Sequence, residues 1–253
     1  MYEAARKREA LCYRAAKLIL NNVQKGSNIA ITTGFLLPEG IETDGINGAI
    51  IMARFFNEMK ANVFVLVEND VIKILKEMNQ FSGKINFISL SDIEIIKEMD
   101  FSMAIAIERP GIGKDGKYHD MHGNIISAQK IDFLFDGKIP TIGIGDGGNE
   151  IGMGKIFHAI PDKRIASITK ADEIVIGGVS NWGTYGIIAS LSILTGKNYC
   201  HNGAMEAKMI KKCVDSGAID GVTRKREYSI DAIPSKVHES IVNMLYNIVA
   251  SII

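Results

Sequence analysis

Residues 139–154 read Ile139-Pro140-Thr141-Ile142-Gly143-Ile144-Gly145-Asp146-Gly147-Gly148-Asn149-Glu150-Ile151-Gly152-Met153-Gly154. A short β-rich run, IPTIGI, feeds a loop, and six of the chain's 25 glycines fall between Gly143 and Gly154. The run offers apolar residues to both faces of a strand, the pattern of a parallel sheet covered on both sides. The same pattern recurs outward along the chain, at NIAITT (28–33), NVFVLV (62–67), residues 85–88, MAIAI (103–107) and EIVI (173–176). Helical spacing separates these runs. Ile46, Ala49, Ile50 and Ala53 share one face, with Thr43 or Asp44 as the expected N-cap. Residues 70–78, 92–99 and 127–135 also read as helices, as does the stretch after GGVSNWG through Leu194. Strands alternating with helices predict an α/β fold with a mostly parallel sheet and helices on both faces.

Both ends of the chain read as helical cover. Cys12, Ala16, Ile19 and Val23 recur at i, i+4, i+7 and i+11 within residues 1–25, with the basic residues expected on the solvated face. Residues 236–252 place Ile241, Met244, Leu245, Ile248, Val249 and Ile252 on one stripe, expected to pack on the body and able to serve self-association as a homo-oligomer. With no repeat and no linker, residues 1–253 are expected to form a single domain.

Composition narrows the function classes. The 253 residues carry 29 basic and 29 acidic side chains, so no basic excess points to nucleic acid or an anionic membrane as partner. No run approaches the length of a membrane span. Three cysteines, Cys12, Cys200 and Cys213, lie far apart without a CxxC. A disulfide framework or zinc cage is not expected, and a reducing, cytoplasmic setting is. The adjacent Cys200-His201 pair points its side chains in divergent directions, which argues against a catalytic dyad.

In a parallel α/β sheet, ligands bind beyond the carboxyl ends of the strands. Those ends carry Thr33-Gly34-Phe35 with Pro38 to Gly45, then Glu108-Arg109-Pro110-Gly111, then Gly145 to Glu150, then Gly177 to Gly183. Acids, one arginine, amides and small residues therefore converge on one edge. Gly143-x-Gly145-x-x-Gly148 matches the dinucleotide fingerprint only weakly, because Asp146 sits inside the turn and the motif is far from the first strand–helix unit. No GxxxxGK[ST] occurs, and no NAD, FAD or haem is expected. Glu42, Asp44, Glu108, Asp146 and Glu150 are carboxylates of the kind that hold magnesium or manganese. The structural alternatives are that Asp44 caps its helix, that Glu108 pairs with Arg109 or Lys155, and that Asp146 holds the loop in an Asx-turn. His119 and His122 have HxxH spacing, but Gly116 and Gly123 bracket them and favour a solvent-exposed loop. Trp182 is read either as a core residue or as the wall of a small polar site beside Asn181.

Taken together, Thr33-Gly34-Phe35, Pro38, Glu42-Thr43-Asp44-Gly45 with Gly48-Ala49, Ile107 to Gly111, Asp115-Gly116, the 142–154 run, Val179-Ser180-Asn181-Trp182-Gly183 and Asp220-Gly221-Val222-Thr223 occur in an order that resembles the D-glutamate cyclase-like C-terminal domain family. The resemblance runs from about Thr33 to about His238. It implies a Rossmann-like domain that, in longer relatives, follows an N-terminal domain in a protein converting D-glutamate to 5-oxo-D-proline and water. The resemblance therefore also raises a separate partner chain in place of that domain. One loop departs from the family's pattern as Asp120-Met121-His122-Gly123-Asn124-Ile125-Ile126-Ser127, with His122 where the family has Arg and Ile125 where it has Asp, so a different substrate is a live alternative.

Cyclising glutamate requires a base for the amine, polarisation of the side-chain carboxylate and an acid for the departing oxygen. The expected catalytic groups are Glu108, Asp146 and Glu150, with Glu42, Asp44, Glu108, Asp146 and Glu150 around a magnesium or manganese ion. Thr33, Gly34, Asn181 and Trp182 are expected to line the substrate. Arg109, or the amides of Gly147, Gly148 and Asn149, would hold its α-carboxylate. The reading is a metal-assisted hydro-lyase on a small amino-dicarboxylate. Its alternatives are a metal-dependent hydrolase of a small phosphorylated or amide metabolite, and a non-catalytic metabolite-binding module.

Overall fold

The computed structural model describes residues 1–6 and 9–253; Lys7 and Arg8 of the predicted N-terminal helix lie outside the described residues. Six strands form the central sheet: β1 (Asn28–Thr33), β2 (Asn62–Val67), β3 (Asn86–Ser89), β4 (Met103–Ile107), β5 (Thr141–Gly145) and β6 (Glu173–Ile176). Their order is β3-β2-β1-β4-β5-β6, and every pairing is parallel. Residues of β4 and β5 are buried throughout, as strands apolar on both faces require. The chain leaves β1 toward β2 on one side and returns to β4 on the other. The carboxyl ends of β1 and β4 therefore diverge into a crevice, the switch point where Rossmann-like sheets place their ligands.

Helices surround the sheet: α1 (Leu11–Asn22), α2 (Ile46–Glu58), α3 (Asn69–Met78), α4 (Ile93–Glu98), α5 (Ser180–Thr195), α6 (Gly203–Asp215) and α7 (Ser235–Ile252). The central helix α5 packs against α1, α2 and α7. It is buried on most sides, so its sequence is apolar and small nearly all round. Gly196 ends it in the left-handed conformation. The terminal helices do form a cover, α1 on α5 and β6, and α7 on α6 and α5.

Several local expectations are corrected. Residues 127–135 do not form one helix; only Asp132–Phe135 makes a 3₁₀ turn, after a short hairpin pairing Tyr118–His119 with Ile125–Ile126. Asp132 accounts for this, because its carboxylate accepts from the backbone N–H of Ile112 at 3.0 Å and from the hydroxyls of Tyr118 and Thr169. Those long-range bonds hold the segment as a loop. On α1, Arg14 is not on a solvated face; it is buried and paired with Glu173 of β6. On α7 the buried stripe is His238, Val242 and Val249, with Leu245 half-buried beside it, whereas Met244, Ile248 and Ile252 face outward. His238 selects that rotation, because Trp182 Nε1 donates to its Nδ1 at 2.9 Å and its Nε2 reaches the Ile233 carbonyl at 3.1 Å.

One buried ion pair ties the sheet to a helix at the crevice. Arg109, fully buried just past β4, gives both terminal nitrogens to Glu68, at 2.6 and 2.7 Å. It also donates to the carbonyls of Gln129 (2.7 Å) and Gly34 (3.4 Å). Glu68 is the N-cap residue of α3. Removing one member of a buried, forked pair strands the other's charge. Arg109→Met is therefore expected to cost about 3–5 kcal/mol of stability, read as a lower urea midpoint, with Glu68→Gln similar in direction.

Candidate functional site

Three carboxylates meet in the crevice. Asp44 follows β1, Glu108 is the first residue after β4, and Asp146 is the first after β5. One oxygen from each lies within 4.8 Å of the others. Asp44 does not cap its own helix. Gly45 occupies the N-cap of α2 without a side-chain bond, while Asp44 accepts from the N–H groups of Ser180 (2.7 Å), Asn181 (3.0 Å) and Gly45 (2.9 Å). It thus caps α5, 136 residues away in sequence. Asn181 returns the arrangement: its Oδ1 accepts from the Gly48 N–H, an orphan donor of α2's first turn, at 2.6 Å. Gly45 has φ 81°, and a Cβ there would stand 2.7 Å from that of Glu108, so a larger residue cannot bring the Asp44 loop this close.

Glu108 adopts φ 44°, a left-handed backbone uncommon outside glycine. The Ser180 hydroxyl donates to its Oε2 at 2.6 Å. Such strain persists only where surrounding structure over-determines it, and here it sits at the centre of the acid cluster.

Glu108 and Asp146 form part of the wall of a cavity of about 500 Å³, with Asp44 buried behind them. Of the residues expected at the site, Glu42, Glu108, Asp146, Gly147 and Asn149 line it. The solvent-exposed loop expected for the two histidines holds only for His122, which sits in the hairpin turn and faces the cavity; His119 lies in a strand of the hairpin and is buried. Another cavity, of about 360 Å³, lies at the opposite, amino-terminal ends of β4 and β5, among Phe101, Leu134 and Ile139. It gathers no comparable set of acids.

Other expected site residues have different tasks. Glu150 does not join the three acids: its Oε1 accepts from the N–H groups of Asp146 (2.9 Å) and Gly147 (2.6 Å), and its Oε2 from that of Gly148 (2.7 Å). Two of the amides expected to grip an anion, those of Gly147 and Gly148, are thus committed to the loop's own carboxylate. Arg109 is committed to Glu68 and does not line the cavity. Trp182 packs beside His238 under α7, and Asn181 spans α5 and α2. Thr33 is buried under the Gly45 turn, where its hydroxyl approaches the position of a Gly45 Cβ. Gly34 lies against Val71 of α3. Cys200 and His201 diverge as expected, with His201 Nε2 bonded to the buried Glu206 at 2.8 Å.

Sequence reasoning missed Asp231 and Arg224, both of which line the cavity. They flank a loop anchored by Asp220, whose carboxylate accepts from the N–H groups of Val222, Thr223 and Ala232 and from the Ser229 hydroxyl. The signal was present in Asp220-Gly221, already part of the quoted motifs. A Cβ at Gly221 would lie 1.6 Å from Glu42 Oε1, so this glycine lets the loop close over the acids.

Electrostatics at the crevice are unbalanced. Burial first, then the surrounding acids, push Glu42 up to about 8, Asp146 to about 10 and Asp231 to about 9. Burial also raises Asp44 to about 6 against the pull of its three amides, and raises Glu108 well above its usual range. A divalent cation is the direct remedy for such a site. Oxygens on opposite sides of an ion, each at roughly 2.1–2.4 Å, stand about 4.2–4.8 Å apart, which the spacing of Asp44, Glu108 and Asp146 satisfies. The donor set, all carboxylate oxygen, suits a hard cation such as magnesium or manganese.

The sequence matches the family described as D-glutamate cyclase-like, C-terminal, over residues 3–246. It is 30% identical over 251 residues to a Homo sapiens protein named D-glutamate cyclase, mitochondrial, a match covering 84% of this chain. The chain spans about 38% of the length of that relative. Among the described residues no helix is long and apolar enough to cross a membrane.

The raised carboxyls set a pH dependence. In the folded protein they keep protons that the unfolded chain loses near pH 4. Their contribution is thus full at low pH and is lost as pH rises through about 6 (Asp44) to about 10 (Asp146). The metal-free protein is expected to melt at progressively lower temperature between pH 6 and pH 9 in scanning fluorimetry. Excess manganese should restore the loss, and Asp146→Asn should flatten the profile.

Proposed function

We propose a reaction that follows from the family: the chain belongs to the D-glutamate cyclase-like, C-terminal family, and we infer that it dehydrates a small amino-dicarboxylate, D-glutamate, to the lactam 5-oxo-D-proline. The observation that carries this reading is the meeting of Asp44, Glu108 and Asp146 at one end of a ligand-sized cavity. The other acids along that wall, Glu42 and Asp231, favour a substrate that brings an ammonium group.

The bookkeeping of the reaction shows what the chain must do. The amine nitrogen bonds to the side-chain carboxyl carbon, and one carbon–oxygen bond of that carboxylate breaks. The two protons lost by the ammonium group leave on that oxygen as water, so no net proton is consumed. Asp44, Glu108 and Asp146 would hold the magnesium or manganese ion. Such an ion, when bound, polarises a carboxylate oxygen and makes the carbon a better electrophile.

Proton movement falls to acids outside that triad. Glu42 and Asp231 line the same cavity, and their raised affinities, about 8 and about 9, lie near the range where a side chain can both take and return a proton. Glu150 supports the site indirectly by holding the Asp146 loop. Ser180, bonded to Glu108, orients that carboxylate from the start of α5. The three free thiols fit a reducing, cytoplasmic compartment.

The test is chromatographic detection of 5-oxo-D-proline from D-glutamate with the purified chain and manganese or magnesium. Glu108→Gln and Asp146→Asn are expected to lower kcat by roughly 10²- to 10⁴-fold. Product should also disappear on chelation and return with added metal. A native chain that leaves D-glutamate unchanged under these conditions overturns the substrate assignment.

A further inference from the structure

Among the described residues, one permanently charged cation lines the cavity, and its partners hold it loosely. Arg224 lines the cavity with φ 61°, a left-handed backbone that an arginine rarely adopts without support. That support is Asp220. The Arg224 N–H donates to the Asp220 carbonyl at 2.9 Å, and the Asp220 carboxylate gathers the neighbouring amides of Val222 and Thr223. The backbone is therefore held in a conformation that presents the side chain to the site.

Among the described residues the guanidinium has only loose partners, Glu39 at 3.4 Å and Asp120 at 3.8 Å, and its side chain is 24% exposed. Arg109 provides the contrast: its terminal nitrogens have a carboxylate and backbone carbonyls at hydrogen-bond distance, and it is wholly buried. Arg224 keeps donors free for an arriving ligand, and a guanidinium presents them as a fork that fits a carboxylate. The acids Glu108 and Asp146 line the same cavity. The cavity is thus bipolar, with a cationic wall segment that the lining acid Asp120 engages only loosely, at 3.8 Å.

From this arrangement we infer that Arg224 is the substrate-binding residue for the non-reacting carboxylate of an amino-dicarboxylate, the α-carboxylate of D-glutamate. The inference rests on the cyclase reading for the identity of the substrate, and on the Arg224 geometry alone for the anchor. Each end of the molecule then meets its complement: the α-carboxylate at Arg224, the ammonium and the reacting carboxyl at the acids and their cation. Discrimination follows. A ligand lacking the α-carboxylate charge leaves the guanidinium with only its loose partners Glu39 and Asp120 and binds less well.

The experiment compares native chain, Arg224→Lys and Arg224→Met, all with manganese, on D-glutamate and on its α-amide. Loss of a charged hydrogen-bonded contact is expected to raise the KM of Arg224→Met for D-glutamate by roughly 30- to 150-fold, with kcat changed far less. The native chain should prefer D-glutamate over the α-amide. Arg224→Met should lose that preference, and Arg224→Lys should regain part of it. Unchanged KM and unchanged discrimination in Arg224→Met overturn the anchor even if the cyclase reading stands. If the native chain turns over neither compound, the cyclase reading fails, and glutarate serves as the probe of the anchor. A glutarate-induced rise in melting temperature that disappears in Arg224→Met supports the carboxylate site; an equal rise in both chains, or none in the native chain, overturns it.

Discussion

The site depends on a reciprocal exchange of capping bonds between two helices. Asp44, just ahead of α2, gives its carboxylate to the first amides of α5, and Asn181, in the first turn of α5, gives its side-chain oxygen to an amide of α2. Each helix start is satisfied by the other's residue. The bonds are short and buried, and Asp44 also sits where the helix dipole favours a negative charge. The exchange stitches the end of β1 to the segment after β6 across the switch point of the sheet. It brings Asp44 and Ser180 within reach of Glu108, and so assembles acids that would otherwise repel one another apart.

That repulsion shapes the rest of the site. Holding several carboxyls in a partly closed space requires either protons or a cation, and the raised affinities of Glu42, Asp146 and Asp231 express the need for one of them. The fold supports it with rigid parts: a strained backbone at Glu108, a glycine at 221 that lets the loop lie on Glu42, and an Asp220 staple behind that loop. These are costs a chain bears at a functional site, offset by the packed core around α5.

Residues of the same type divide between structure and chemistry according to what surrounds them. Asp146 and Glu150 lie four positions apart in one loop. The first turns to the cavity, and the second is consumed by three amides of the turn itself. Arg109 and Arg224 divide in the same way. One is a buried tie between β4 and α3, and the other is loosely held on the cavity wall. The glycine loop shows why its resemblance to a dinucleotide fingerprint is superficial here. The strand order is the one found in dinucleotide-binding sheets, but the loop's amides face Glu150 rather than outward.

Much of the fold was legible in the sequence. Runs such as MAIAI and IPTIGI determine buried parallel strands because both faces of each strand must be apolar, and helical spacing between them determines the α/β alternation. Since a parallel sheet gathers its loops at one edge, that was enough to place Asp44, Glu108 and Asp146 near one another. Tertiary structure alone decided which candidates reach the cavity. Whether Glu150 faces a ligand or its own loop, whether Asp44 caps α2 or α5, and whether Arg109 is free depend on partners up to 137 residues away, which no local pattern encodes. Arg224 and Asp231 could be found only in the folded chain, because their role comes from a loop that Asp220 folds back over Glu42. Periodicity reports which side of an element is apolar; it carries no record of which polar groups will be satisfied, and that accounting closes only when distant segments meet.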